Sequence, residues 1–143
     1  MTTRPVTEDE KTAWPKTVIV PKEDSFADAR GEIQPLVDLP MESAVLISSK
    51  KGTVRANHYH KTDWHFCYVF KGRIEYHHRP HGEDAEPEVV IIEQGQQFFT
   101  PPQVDHAMVF LEDTVFLTLG RNSRRQEVYE ADIERIELVS PDS

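Results

Sequence analysis

The chain has 143 residues, with 25 acidic against 16 basic side chains and a formal net charge of −9. That length suits one domain with a real core, and the charge excludes a life on nucleic acid or an anionic membrane surface, both of which would repel it. No stretch reaches the roughly 18 to 20 apolar residues of a membrane span, and the polar start Met1 to Glu10 lacks a secretory signal's apolar core, so a cytoplasmic protein with a small-molecule partner is expected.

Residues 1–16 show no apolar period and include Pro5 and Pro15, which predicts a flexible or surface-draped arm ahead of a single domain over 17–143. From Thr17 onward the apolar residues fall in short β-branched and aromatic runs: TVIV at 17–20, SAVLISS at 43–49, HFCYVF at 65–70, EVVIIE at 88–93 and TVFLTL at 114–119. Turn formers separate them, among them Arg30-Gly31, Lys51-Gly52, Lys71-Gly72, Gln94-Gly95 and Pro101-Pro102. Many short strands with regular turn signals predict an all-β sandwich or barrel. A helix is expected only over 126–135, with Ile136 and Leu138 able to alternate in a last strand. The single cysteine, Cys67, forms no internal disulfide and reads as a small buried thiol in an apolar strand.

Seven histidines carry the functional signal. His58 and His60 are two apart in GTVRANHYH, so in a strand both imidazoles leave on one face and can share a metal. His65 opens the next run after the four residues 61–64, close enough for a turn to bring it beside His60. His106 follows Pro101-Pro102 and starts an alternating series with Met108 and Phe110, from which it can add a further ligand. Neutral imidazoles suit Zn, Fe(II), Ni, Cu or Mn and leave the metal's charge available as a Lewis acid. His77 and His78 are adjacent and face opposite ways, and His81 lies in the turn HGED, so these three read as surface histidines. His78 becomes a pocket residue only if Ile74 and Tyr76 face inward after a Lys71-Gly72 hairpin.

These residues resemble the two motifs of the cupin superfamily. The first runs G, five residues, H-x-H, three or four residues, E, six residues, G. Here Gly52, His58-Tyr59-His60, His65 and Gly72 match every spacing, with His65 at the glutamate position. The second runs G, five residues, P-x-G, two residues, H, three residues, N. Gly95, Pro101 and His106 match it, while Gln103 and Phe110 replace the second glycine and the asparagine. The resemblance implies a cupin-type β-barrel, a double-stranded β-helix or jelly roll of six to eight strands. It also implies one divalent transition metal per chain, Fe, Zn, Ni or Mn, held by His58, His60, His65 and His106.

The departures shape the expected chemistry. With His65 for Glu, the site loses its anionic ligand, and His65 is either a fourth ligand or a general acid or base. Met108 and Phe110 suggest an apolar pocket wall. The segment Arg55-Ala56-Asn57-His58-Tyr59-His60-Lys61 resembles the R-G-N-H-x-H-K segment of cupins that act on nucleotide sugars, which implies substrate-binding roles for Arg55 and Lys61 beside His78. The leading expectation is metal-assisted proton transfer next to a carbonyl, an isomerisation or epimerisation of a keto-sugar, with His65 or Tyr76 moving the proton. The alternatives are an Fe(II) dioxygenase of a chelating substrate such as a diketone, and a non-catalytic metal-stabilised ligand-binding domain. The alternating face Phe66, Tyr68, Phe70 suits sheet packing or a homodimer interface.

Overall fold

The computed structural model describes residues 4–141. A short helix α1 (Glu8–Thr12) is followed by strands β1 (Ile19–Val20), β2 (Phe26–Asp28), β3 (Gly31–Ile33), β4 (Ser43–Ser49), β5 (Val54–His60), β6 (His65–Lys71), β7 (Arg73–Pro80), β8 (Glu88–Glu93), β9 (Gln97–Thr100), β10 (Val104–Phe110) and β11 (Thr114–Gly120). Helix α2 (Gln126–Asp132) and strand β12 (Ile133–Arg135) complete the chain. No helix among the described residues is long and apolar enough to cross a membrane.

Ten strands form two five-stranded antiparallel sheets, ordered β1-β9-β6-β11-β4 and β12-β5-β10-β7-β8, while β2 and β3 make a separate exposed hairpin. Between β4 and β11 every connection except β7 to β8 passes from one sheet to the other, which is the jelly roll expected from the strand pattern. The Lys71-Gly72 step is therefore a corner between sheets, not a hairpin. Gly72 adopts φ +107°, and a Cβ there would meet the Thr114 Cα at 2.6 Å, so only glycine lets β6 turn into β7 so close to β11.

Inward-facing Val69, Ile74, Tyr76, Ile92, Phe98, Phe110 and Phe116 fill the barrel, each at most 1% exposed. A second apolar cluster forms outside it, where Trp64, Phe66 and Phe99 are covered by Trp14 and Val20. This cluster explains the arm. Residues 4–16 lie docked on the barrel, because Trp14 packs on Trp64 and Phe99 with ring centroids 6.2 and 5.9 Å away. Arg121, 3% exposed, uses all five guanidinium donors, four of them on the arm: Nε and Nη2 grip Glu10 at 2.7 and 2.9 Å, two more reach Arg4 O and Pro5 O, and the fifth goes to Asn122 Oδ1. Helix α1 is closed by a Thr7–Glu10 capping box. An aperiodic, charged segment does not distinguish a draped arm from a flexible one, since one buried arginine and one tryptophan decide it. Residues 1–3 of the expected arm lie outside the described residues.

The helix expected over 126–135 is split. Helix α2 ends at Asp132 and the chain extends at once into β12, pairing Ile133, Glu134 and Arg135 with His60, Tyr59 and His58. The unmet hydrogen-bonding edge of β5 outcompetes continuation of a short helix.

Candidate metal and substrate site

The jelly roll assembles the histidines from three strands. His58 and His60 stand on β5 and His106 on the adjacent β10, paired directly with His58. His65 opens β6 in the facing sheet, so the four residues 61–64 cross between sheets. Asp132 holds that crossing: its carboxylate accepts from Thr62 N, Thr62 Oγ1 and Asp63 N at 3.0, 2.6 and 2.9 Å, and its carbonyl accepts from Lys61 N at 2.7 Å. His60 and His65 thus meet across the barrel interior, with ring centroids 4.6 Å apart.

A bulge aims the rest of the site. Ala56 and Asn57 adopt φ +73° and +52°, and the register steps from His106↔His58 to Ala107↔Ala56 and Met108↔Arg55, leaving Asn57 unpaired in the ladder. Asparagine tolerates this left-handed conformation, and its side chain is used: Oδ1 accepts from Leu138 N and Val139 N, and Nδ2 donates to Val139 O at 2.9 Å. Arg55 and His58 would face opposite ways in a straight strand. The extra residue puts both on the cavity face, opposite Met108 and His106.

The ring centroids of His58, His60 and His106 lie 4.7 to 5.5 Å apart, and a ligating atom from each lies within 4.8 Å of the others. All three are buried, and burial is the first cause that keeps them neutral: His58 and His60 are pushed far below the usual histidine range and His106 down to about 4. Neutral imidazoles offer the lone pairs a metal requires. His106 Nδ1 lies 3.0 Å from the Val104 carbonyl, which can only accept, so Nδ1 carries the proton and Nε2 is free to bind. Both ring nitrogens of His60 are buried without a hydrogen-bond partner, Nδ1 standing 3.8 Å from Asp132 Oδ2, a costly state that a metal on Nε2 would relieve. The three residues therefore fit a divalent transition metal.

His65 is held differently. Its Nε2 lies 2.7 Å from Asp63 Oδ2, while Asp63 Oδ1 accepts from Asn122 N at 2.9 Å. Burial alone would raise the Asp63 carboxyl, but the nearby His65, their hydrogen bond, His60 and the Asn122 amide together hold it below its ordinary value. Gly120 lies beside the His65 ring; a Cβ there would sit 3.4 Å from His65 Cδ2 and 2.6 Å from Ser43 Oγ, so this glycine keeps room for the imidazole.

The histidines line a cavity of about 140 Å³. Of the other residues expected at the site, Arg55 and Met108 line it, with Arg55 tethered on the rim by Nε to Ser49 Oγ at 2.6 Å. Four do not. Lys61 is exposed and pairs with Glu134 at 3.2 Å, because the chain has begun its crossing there. Phe110 is wholly buried in the barrel core, since β10 has passed below the cavity by that residue. Tyr76 lies behind His106, its hydroxyl 2.9 Å from Thr100 Oγ1 and burial driving its pKa up, and does not line this cavity. His78 does share the Tyr76 face but opens on another cleft, with Lys16 and Pro101. Cys67 is the buried thiol expected, its pKa pushed up to about 12 by burial.

Asp63, Gly120, Arg124 and Tyr129 were not legible as site residues. Arg124 stacks 3.5 Å over the Tyr129 ring, which lies 6.1 and 6.0 Å from His58 and His60. Spacing two before His65 was the only available signal for Asp63.

The cupin domain profile matches residues 45–119, just over half of the chain. The protein belongs to the cupin domain family. No curated protein sequence matches it. Among solved structures it is similar to a sugar 3,4-ketoisomerase from Thermoanaerobacterium thermosaccharolyticum in complex with TDP, at 17% identity over 85% of this chain and 88% of that one, TM-score 0.66. It is also similar to dTDP-4-dehydrorhamnose 3,5-epimerase from Sulfolobus tokodaii (20% identity, 83% and 77% covered, TM-score 0.64) and to ChmJ, a 3'-monoepimerase from Streptomyces bikiniensis in complex with dTDP-quinovose (15%, 85% and 70%, TM-score 0.67). At these identities the likeness shows the fold.

Proposed function

We propose that this protein is a metal-dependent cupin enzyme that moves a proton next to the carbonyl of a keto-sugar carried on a nucleotide, giving an isomer or epimer. The observation that carries this reading is the His65–Asp63 pair set against the three-histidine cluster: a base oriented by a carboxylate, beside a group of neutral ligands, is the combination that abstraction of a proton α to a carbonyl calls for. A divalent metal bound by His58, His60 and His106 would supply Lewis-acid polarisation of the carbonyl oxygen. Asp63 orients the His65 ring and stabilises the imidazolium formed when His65 Nδ1 takes the proton. The Tyr129 phenol, at the cavity wall and under Arg124, is placed to return one.

Size is consistent with the substrate class. The cavity of about 140 Å³ is small beside the roughly 300–1,000 Å³ of ordinary ligand pockets, which suits the sugar end of such a substrate better than its nucleotide. The nucleotide then stays outside, where exposed Arg55 and Arg124 on the rim offer cations to its phosphates. The same reading takes the chain as a homodimer formed through the outer face of the β4-containing sheet, where Leu46, Leu117 and Tyr68 align in register and Leu46 is 64% exposed.

The test is anaerobic incubation of zinc-loaded protein with TDP-linked 4-keto-6-deoxy sugars in D₂O. Deuterium should enter at the carbon beside the carbonyl, and His65→Gln should suppress it. Absence of exchange across a panel of keto-sugar nucleotides, with oxygen uptake by Fe(II)-loaded protein on a diketone, would replace this reading with the oxygenase.

A further inference from the structure

The docked arm reaches the site from behind. Glu10 Oε2 accepts from Trp64 Nε1 at 3.0 Å, and Trp64 stands between Asp63 and His65 in the chain. The same carboxylate takes Arg121 Nε and Nη2, which fixes the plane of this buried guanidinium. That plane directs Arg121 Nη1 at Asn122 Oδ1, 3.1 Å away. Asn122 is itself buried and holds the crossing between sheets at two points: Nδ2 donates to Thr62 Oγ1 at 3.0 Å, and the backbone N–H donates to Asp63 Oδ1 at 2.9 Å. Asp63 Oδ2 then meets His65 Nε2 at 2.7 Å. Glu10, Arg121, Asn122, Asp63 and His65 thus form one unbroken series of contacts from the arm to the cavity wall.

We propose that Glu10 is a positioning residue for His65, holding the imidazole at the angle proton transfer needs through Arg121, Asn122 and Asp63. Trp14 can dock the arm by packing alone; what Glu10 adds is direction. A buried guanidinium deprived of its acid turns toward other acceptors, and its hold on Asn122 goes with it. Among the described residues the Asp63 carboxylate is hydrogen bonded only to the Asn122 amide and to His65, so a shift of Asn122 is passed to the His65 ring. The effect on turnover rests on the keto-sugar reading above; the effect on the His65–Asp63 contact does not.

The experiment is proton NMR of the full, zinc-loaded chain labelled with ¹⁵N-histidine. The ring proton that His65 shares with Asp63 is assigned by its loss in His65→Gln and followed in Glu10→Gln, Asn122→Ala and the double variant. Asn122→Ala keeps the backbone N–H that meets Asp63 and removes the acceptor that Arg121 holds. The wild type should show one sharp signal protected from solvent, which each single variant broadens and exposes to exchange. In the deuterium assay each should lower kcat about tenfold or more with KM unchanged, since a displacement of ~1 Å at a reacting group can cost about 10²-fold. The double variant should be no worse than either single one, because members of one network are not additive. Ile92→Val on β8 lowers stability away from this series and should leave both readouts intact, with urea unfolding showing that every variant is measured folded. A wild type without the signal, a signal unchanged in both single variants, or losses that add in the double variant overturns the proposal. If no keto-sugar is turned over, the functional reading fails while the proton signal still decides the positioning role.

Discussion

Two sets of histidines lie on neighbouring parts of one sheet and live in opposite environments. On β7 and the turn after it two histidines are hydrogen bonded to carboxylates, His77 to Glu75 at 2.7 Å and His81 to Asp105 at 2.9 Å, while His78 stands 3.7 Å from Glu88 with its Nε2 buried and without a hydrogen bond. His58, His60 and His106 are buried together and held neutral; only His106 is hydrogen bonded, to a backbone carbonyl, and one acid comes near, Asp132 Oδ2 at 3.8 Å from His60 Nδ1. The sequence expectation of three surface histidines holds for His81 alone, since His77 and His78 are half-buried between β8 and β10. Three imidazoles withdrawn from water and facing one another are unfavourable unless something binds them. His65 stands between the two classes, since it faces the cluster but pairs with an acid.

The largest expected effect separates His65 from His77. His65→Gln should lower proton exchange by about 10² to 10⁴-fold, the usual contribution of a positioned acid or base, while His77→Gln should leave the rate unchanged. Equal losses would erase the distinction. Next comes Phe110→Ala, which empties the apolar body below the cavity and should cost about 3–5 kcal/mol in urea unfolding, with metal stoichiometry retained in the folded fraction. Loss of metal with little loss of stability would move Phe110 into the site after all.

The arm gives a smaller, pH-dependent effect. The Arg121 guanidinium beside Glu10 holds its carboxyl down from 4.5 to about 2, so the folded state binds that proton less readily than the unfolded chain. The contribution is complete above about pH 4.5 and is lost as the pH falls through about 2. Glu10→Gln should therefore be less stable than wild type at pH 6, and the gap should close toward pH 2 in chemical denaturation. A constant gap would mean that Glu10 acts through packing alone. The smallest effect is His77→Gln on stability, about 0.5–1.5 kcal/mol in chemical denaturation, the worth of its one hydrogen bond to Glu75 on a half-buried ring.

Much of this was legible in the sequence. SAVLISS and EVVIIE are strands to the residue, Arg30-Gly31 turns the β2–β3 hairpin, and the spacing of His58, His60 and His106 carried the site. What was hidden depends on contacts between distant residues. The resemblance put Arg55 at the site, yet in a straight strand it would face away from His58, and only the bulge at Ala56-Asn57, fixed by the tail at Leu138 and Val139, brings them together. Tyr76 and Phe110 share the inward face, as alternation suggested, but depth along the barrel separates them from the cavity. Asp132 and Arg121 look like surface charges in the sequence, yet one fixes the crossing between His60 and His65 and the other docks the arm.

Whether His58, His60 and His106 form one metal seat is decided by metal analysis of protein reconstituted with one equivalent of zinc and passed through a desalting column, for the wild type, His58→Ala, His106→Ala and His77→Gln. One zinc per chain should remain in the wild type and His77→Gln, and little or none in the other two. A metal-free wild type, or zinc retained equally by all four, would contradict it.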